Sequence, residues 1–448
     1  MIHSQSLNSD TFLTTGQANK ASAASRAELT LMLTAAAFVF VSAAALSLAL
    51  EGTLQWRHFY APGIWGLLFA FCYVVLARGL SRHDPVILPL VALMTGWGLI
   101  LIDRLAPNFL PRQVVWLVIG CGALLLAAML RPLLGFLRRY RYTWLTLGLL
   151  LLAATLLFGV NPSGLGATLW LRAPIAGQVY FQPSELLKLL LVVFLASYFA
   201  ERGRIINIGA GSPVKRWIAY LAPLVIMWGF CMILLVWQRD LGAATLFFAV
   251  FVVLIYLATG DRRYVVGGLL LLLIAAVTGY LAYDVVALRV DTWIDPWLEA
   301  DSRGFQIVQS LYAVAAGGVF GQGIGTGFPT YIPVVHSDFA FAAIAEEWGL
   351  IGAIGIVAGF TALAYRGLLI AGRSRKAFHL YLAAGITVLF SVQAFLIMAG
   401  VTKLLPLTGV TLPFVSYGGS SLLISCTMAG LLLSLSWENN RSDRRNSG

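Results

Sequence analysis

The sequence predicts an all-α polytopic membrane protein with about twelve transmembrane helices and one large extracytoplasmic loop. Three observations carry that prediction. Of 448 residues, 60% are hydrophobic and only 11% are charged, against about a quarter charged in soluble domains. Apolar stretches of about 17 to 25 residues, the length a helix needs to cross a bilayer, recur along the whole chain. The cations are divided unevenly between alternate loops.

In chain order the spans fall near 29–50, 62–79, 86–102, 113–130, 143–160, 183–200, 217–236, 241–258, 264–283, 340–364, 379–400 and 417–436. With a cytoplasmic N-terminus, 21 of the 30 Lys and Arg residues lie in cytoplasmic segments and 8 outside, leaving Lys188 within a span. This bias fixes both termini in the cytoplasm. The net charge of +11 is therefore a matter of topology, and no nucleic-acid partner is expected. Residues 1–28, rich in Ser, Thr, Ala and Asn, read as a disordered cytoplasmic tail, too long and too weakly basic to begin a cleaved signal peptide. Residues 29–80 form an N-terminal pair of spans, and 437–448 a cytoplasmic tail. Cys72, Cys121, Cys231 and Cys426 stand singly within spans, without metal-ligand spacing, as small core residues.

Two outer connections are long. One is 161–182; the other, 284–338, is too aromatic and apolar to be disordered. Within it FQIVQSLYAVAAGGVF places Phe305, Val308, Leu311, Tyr312 and Ala315 at helical spacing, which predicts an amphipathic helix in the outer interface. GGVFGQGIGTGFPTYIP then supplies the turns that return the chain to His336. The loop reads as a folded lid.

An ionisable group in a span costs at least about 2.5 to 3.5 kcal/mol, so each needs a partner or a task. Glu185 and Lys188, three apart after Pro183, share a helix face and can pair. Asp240 and Asp338 both open spans, where an acid complements the helix dipole. His336 reads as an interfacial residue. Glu346 and Glu347 point about 100° apart, so one at most faces a given cavity while the other braces a neighbouring helix. From the residues alone, structural pairing and a binding site remain alternatives for each. Asp338, Glu185, Lys188, Arg172, Asp240 and Lys403 nevertheless converge on the outer side under the lid, which favours a site for an anionic, polar-headed substrate.

QPSELLKLLLV, WQRDLGAATL, GFQIVQSLYAVAAGGVFGQGIGTG, YIPVVHSDFAFAAIAEEWGLIG and GVTKLLPLTGVTLPFVSYGGSSL occur in that order. By these five stretches the chain resembles the SEDS family of integral-membrane peptidoglycan glycosyltransferases, the RodA, FtsW and SpoVE group, over residues 86–436. The resemblance implies a ten-helix core, with the pair before residue 80 an addition. It differs at Arg239, where a proline is usual, and at Lys403, where many members have a small residue.

The resemblance further implies polymerisation of lipid II, the undecaprenyl-pyrophosphate-linked disaccharide pentapeptide, with inversion, at the outer face of the bacterial cytoplasmic membrane, for elongation or division. Asp338 matches the family's essential aspartate, and a general base is the role it implies. Glu185 and Lys188 match the functional pair lining the central cavity, with Lys188 on pyrophosphate. Arg172, Arg239, Arg303 and Lys403 are candidate phosphate contacts, Asp240 and Glu346 candidate cavity groups, and Ser416, Gly418 and Gly419 of SYGGS either substrate contacts or points of close helix approach. No metal-ligand spacing demonstrates a cofactor, although a divalent cation, Mg or Mn, could share the pyrophosphate charge. A class B penicillin-binding protein is the expected partner. Two rival readings stand beside polymerisation: a lipid II flippase that uses the same acidic cavity, and a noncatalytic scaffold for a transpeptidase, which leaves Asp338, Glu185 and Lys188 without a task.

Overall fold

The structure, a computed structural model, describes residues 6–130, 132–161, 168–172, 179–202 and 213–445. Parts of the 161–182 connection, and Arg131 and Arg204 among the cations counted for topology, lie outside the described residues. Sixteen helices follow one another: α1 (Ser6–Glu51), α2 (Tyr60–Gly79), α3 (Ile87–Leu105), α4 (Leu110–Met129), α5 (Leu133–Arg139), α6 (Arg141–Phe158), α7 (Pro183–Arg202), α8 (Pro213–Trp237), α9 (Leu241–Thr259), α10 (Arg263–Ala282), α11 (Asp284–Ile294), α12 (Phe305–Gly317), α13 (Ala340–Glu347), α14 (Gly349–Arg373), α15 (Ala377–Val401) and α16 (Gly419–Arg445). A two-residue antiparallel ribbon, β1 (Leu171–Arg172) with β2 (Tyr180–Phe181), leads into α7.

Among the described residues, eleven helices are long and apolar enough to cross a membrane, and the apolar Leu224–Trp237 part of α8 adds a shorter one. The predicted all-α polytopic fold is the observed one, with three differences. Residues expected to be a disordered tail are helical from Ser6, continuous with the first span; the stretch contains no proline, and Gly16 is its only glycine. At the other end α16 runs on to Arg445 instead of closing at 436. Asn439 there donates to the Ile370 carbonyl at 2.8 Å, and the Arg441 guanidinium lies 5.3 Å from the Trp437 ring.

The third difference bears on function. The single span expected over 340–364 is broken into α13 and α14 at Trp348. Breaking a helix frees carbonyls on one side and N–H groups on the other, and in a bilayer these must be satisfied within the protein. The lid satisfies them. Gln322 and Gly323 donate their N–H groups to the carbonyls of Glu346 and Glu347 at 2.9 and 3.1 Å, while Leu350 and Ile351 donate theirs to the carbonyls of Gly318 and Val319 at 2.9 and 3.3 Å. Gly349 makes the break passable, because its φ is +69° and a side chain there would strike the lid backbone at Val319 and Gly321. The lid is stitched into the helix it covers.

At the centre of the bundle α16 packs against α4, α7, α14 and α15. It crosses α4 closely at Gly430, whose missing side chain lets the Leu124 carbonyl approach. The N-terminal pair lies outside this core, α1 on α3 and α2 on α4, and is latched at both ends by buried pairs. His58 meets Asp103 of α3 at 2.7 Å at the lid end, and His83 meets Glu28 of α1 at 2.8 Å at the opposite end.

Candidate functional site

The candidate site forms where three chain segments converge at the lid end: the turn before α13, the start of α7, and the 402–418 connection between α15 and α16. Asp338 is the first element. It ends the turn that precedes α13, half-buried, with Oδ1 accepting a hydrogen bond from the Ser337 hydroxyl at 2.9 Å. Burial pushes its carboxyl above the ordinary carboxylate range, against the opposing pull of the Ser337 hydroxyl and of Arg289.

Arg289 is the residue that sequence reasoning passed over. It projects from α11, donates from Nη1 to the Thr408 carbonyl at 3.4 Å, and lies electrostatically between Asp240 and Asp338. Gly409 separates it from Asp338. With φ +71°, this glycine leaves a gap in which an added side-chain carbon would sit 3.7 Å from Asp338 Oδ2 and 3.9 Å from Arg289 Nη2. The sequence did hold a signal: Arg289 is the only cation in an otherwise apolar and acidic helix, DVVALRVDTWI. Burial lowers its guanidinium from the usual value while the two aspartates pull it back up.

The second element is the start of α7, where Pro183 opens the helix and Glu185 stands in its first turn. Lys188 Nζ lies 2.6 Å from Glu185 Oε1, in the same-face pairing that the spacing predicts, and 3.2 Å from Gln393 Oε1 of α15. Gln393 in turn donates to the Thr411 carbonyl at 2.7 Å. Both members of the ion pair are nearly sealed, at 7% and 2% exposure, so the pair needs its polar neighbours to compensate for lost water. Asp240 joins this group. Its Oδ1 caps α9 through the Ala243 N–H at 3.1 Å, Oδ2 is buried without a hydrogen-bond donor, and Lys188 and Ser184 are its electrostatic neighbours.

The remaining predicted residues take other positions. Glu346 Oε1 accepts the Phe328 N–H at 2.6 Å, and Glu347 Oε1 accepts from Arg104 Nε at 2.9 Å while Arg104 also donates to the Gly327 carbonyl. Both glutamates brace the lid through these contacts. In SYGGS, Ser416 donates to the Ser337 carbonyl at 2.6 Å and Ser420 accepts the Gln182 N–H at 3.0 Å. Gly419 makes room for the Trp116 indole, and Gly418 lies beside Thr411 and Ser421. This motif ties the start of α16 to the Asp338 turn and to the start of α7.

Arg172 is exposed on β1, opposite Tyr180, two residues before the chain enters α7 through Gln182. Arg303 pairs loosely with Glu299 at 3.6 Å on the exposed lid surface. Arg239 and Lys403 have φ of +61° and +60°. Both lie in the left-handed region, which a proline cannot adopt and which glycine adopts most readily.

Among the described residues, no three His, Cys, Asp or Glu side chains gather to hold a metal. Asp338 and Asp240 have Arg289 between them, a donor set that does not fit a protein-held divalent ion.

A family model described as cell cycle protein (FtsW, RodA, SpoVE) matches residues 86–441. The peptidoglycan glycosyltransferase RodA of Mycobacterium tuberculosis is 35% identical over 92% of this chain and 90% of its own. The probable peptidoglycan glycosyltransferase FtsW of Geobacter metallireducens is 33% identical over 80% of this chain and 96% of its own. Among solved structures, a chain of a peptidoglycan synthase complex that coordinates polymerization and crosslinking matches with a TM-score of 0.64 at 28% identity, covering 80% of this chain and 98% of that one. The rod shape determining protein RodA of Thermus thermophilus matches at 0.56 and 26% identity, over 79% of this chain and 96% of that one.

Proposed function

Because the chain belongs to the FtsW, RodA and SpoVE family of cell cycle proteins, we propose that it is a peptidoglycan glycosyltransferase that polymerises lipid II at the outer face of the cytoplasmic membrane. The observation that carries the reading is the arrangement of Asp338. A half-buried carboxylate stands at the lid end of the bundle, with one oxygen held by Ser337 and the other facing Arg289 across Gly409. The buried Lys188 pairs with Glu185 on α7 and reaches Gln393 of α15.

In the proposed reaction the 4-hydroxyl of the acceptor sugar attacks the anomeric carbon of the donor from the face opposite its pyrophosphate. The new C–O bond forms as the C–O bond to undecaprenyl pyrophosphate breaks, and the anomeric configuration inverts. Asp338 takes the hydroxyl proton. Arg289 and Lys188 offer positive charge to the departing pyrophosphate, and Glu185 with Gln393 fixes the ammonium so that it need not reorganise as charge develops. Arg172 and Lys403 are secondary phosphate contacts in this reading. A divalent ion would enter with the pyrophosphate; no step depends on one.

The cation bias between alternate loops supports the orientation, with both termini cytoplasmic and the lid outside. A class B penicillin-binding protein is the proposed partner, in keeping with the synthase complex whose chain shares this fold.

The test is purified protein with its partner and lipid II, assayed for glycan chains beside Asp338→Asn. We expect the variant to lose about 10²- to 10⁴-fold in rate at unchanged thermal stability. Equal polymer from both would remove Asp338 as base, and transfer of lipid II across vesicles without polymer would favour a flippase.

A further inference from the structure

We propose that Phe109, His336 and Tyr417 form a platform that binds one saccharide ring of the acceptor beside Asp338. Phe109 and Tyr417 stack with centroids 4.8 Å apart and an interplanar angle of 18°, and the His336 ring stands 5.2 Å from the first and 5.6 Å from the second. All three are half-buried, so ring surface remains accessible at the lid end. Phe194, Tyr198 and Phe199, each at most 1% exposed, are by contrast sealed, and the exposed stack of Phe328 on Tyr331 in the lid lacks the backbone bonds that tie Tyr417 to the Asp338 turn.

The platform is rigidly joined to the carboxylate. His336 lies two residues before Asp338, within about 7 Å along the chain. Its carbonyl accepts the Tyr417 N–H at 2.8 Å, and the Ser416 hydroxyl donates to the Ser337 carbonyl at 2.6 Å. The aromatic rings and Asp338 therefore move as one body, and a ring seated on the platform holds its hydroxyls at a constant reach from the base.

The chemistry selects a sugar. The π face of an aromatic ring is electron-rich, and the axial C–H groups of a pyranose present a flat face of partial positive charge. A lipid tail would need no polar edge. Here Arg112 adjoins the Tyr417 hydroxyl, and the Asp338 carboxylate borders the group, the polar fringe that an N-acetylated amino sugar requires. The identity of that sugar rests on the polymerase reading above.

The experiment uses the full-length protein with its partner, in the wild type and in Phe109→Leu, Tyr417→Leu, Phe109→Tyr and Tyr417→Phe. Glycan synthesis is measured against lipid II concentration, and binding of a soluble N-acetylglucosamine–N-acetylmuramic acid oligomer is followed by saturation-transfer NMR. The expected result is kcat/KM lowered and oligomer Kd raised by roughly 3- to 10-fold in each Leu variant, the effect of losing one aromatic contact, with Tm within about 2 °C of wild type, near-normal values in Phe109→Tyr, and a smaller loss in Tyr417→Phe, which keeps the ring and removes the hydroxyl beside Arg112. A lower Tm with kcat/KM and Kd unchanged would make the three rings packing and overturn the platform. Wild-type protein that binds the oligomer through these rings but makes no polymer would uphold the platform and remove the polymerase reading instead.

Discussion

The short helix α13 carries acids at both ends, and the two ends differ in what water and substrate can reach. At its C-terminal end Glu346 and Glu347 are 5% and 1% exposed, each with one oxygen bonded to the lid or to Arg104 and the other sealed without a donor. At its N-terminal end Asp338 is half open, held by a single hydroxyl, with a cation across a glycine-sized gap. Charge density alone does not distinguish the two ends. Access does, and in the proposed reading it assigns chemistry to one end and support to the other.

The largest effects separate the ends by kind. Asp338→Asn should remove activity and leave Tm alone, as set out above. Glu347→Gln should do the reverse: it leaves Arg104, whose side chain is 14% exposed, without its buried partner, and breaking such a pair costs about 3 to 5 kcal/mol. Thermal unfolding in detergent measures that loss. Adding Arg104→Gln to it should recover part of the stability, since the uncompensated charge goes with it. A Glu347→Gln protein of normal Tm and absent activity would dissolve the distinction between the ends.

The next effect is on pH dependence. Burial holds the Asp338 carboxyl above its ordinary range while Arg289 opposes that shift. A base must be deprotonated, so the rate should rise with pH through the raised value. Arg289→Gln removes the opposing cation, raises the carboxyl further, and should move the acidic limb of kcat/KM to higher pH. A limb that stays in place, or moves to lower pH, would separate Arg289 from Asp338 and return Asp338 to the status of a helix-start acid.

Much of this architecture is legible in the sequence. Length, apolar runs and loop cations suffice for the spans, because a bilayer imposes one solution on a long apolar segment. The Glu185–Lys188 pair follows from helical spacing alone. The break in α13–α14 is not legible: residues 340–364 are apolar enough to be continuous, and the lid residues that pair with the break lie 24 to 32 positions earlier in the chain. Arg289 was missed for a related reason. Its partners Asp240 and Asp338 lie on either side of it in sequence and meet only through the 408–409 turn. Periodicity gives Glu346 a direction on its helix but not what the lid places there, so its bond to the Phe328 N–H is not legible either.

The smallest effect is the sharpest test of the lid. Glu346 meets one backbone donor, the Phe328 N–H at 2.6 Å, and has no charged partner in hydrogen-bonding contact. Glu346→Gln keeps an acceptor at that place and loses only the charge assistance, so it should cost about 1 kcal/mol of stability and leave kcat within about twofold at saturating lipid II. Glu346→Ala removes the acceptor too and leaves the Phe328 N–H unpaired, at about 1 to 3 kcal/mol. Hydrogen exchange at 321–328 would report the same order, fastest in the alanine variant. If Glu346→Gln instead raised KM with exchange unchanged, Glu346 would belong with Asp338 as a group that touches substrate, and the division of α13 into a chemical and a supporting end would fail at that residue.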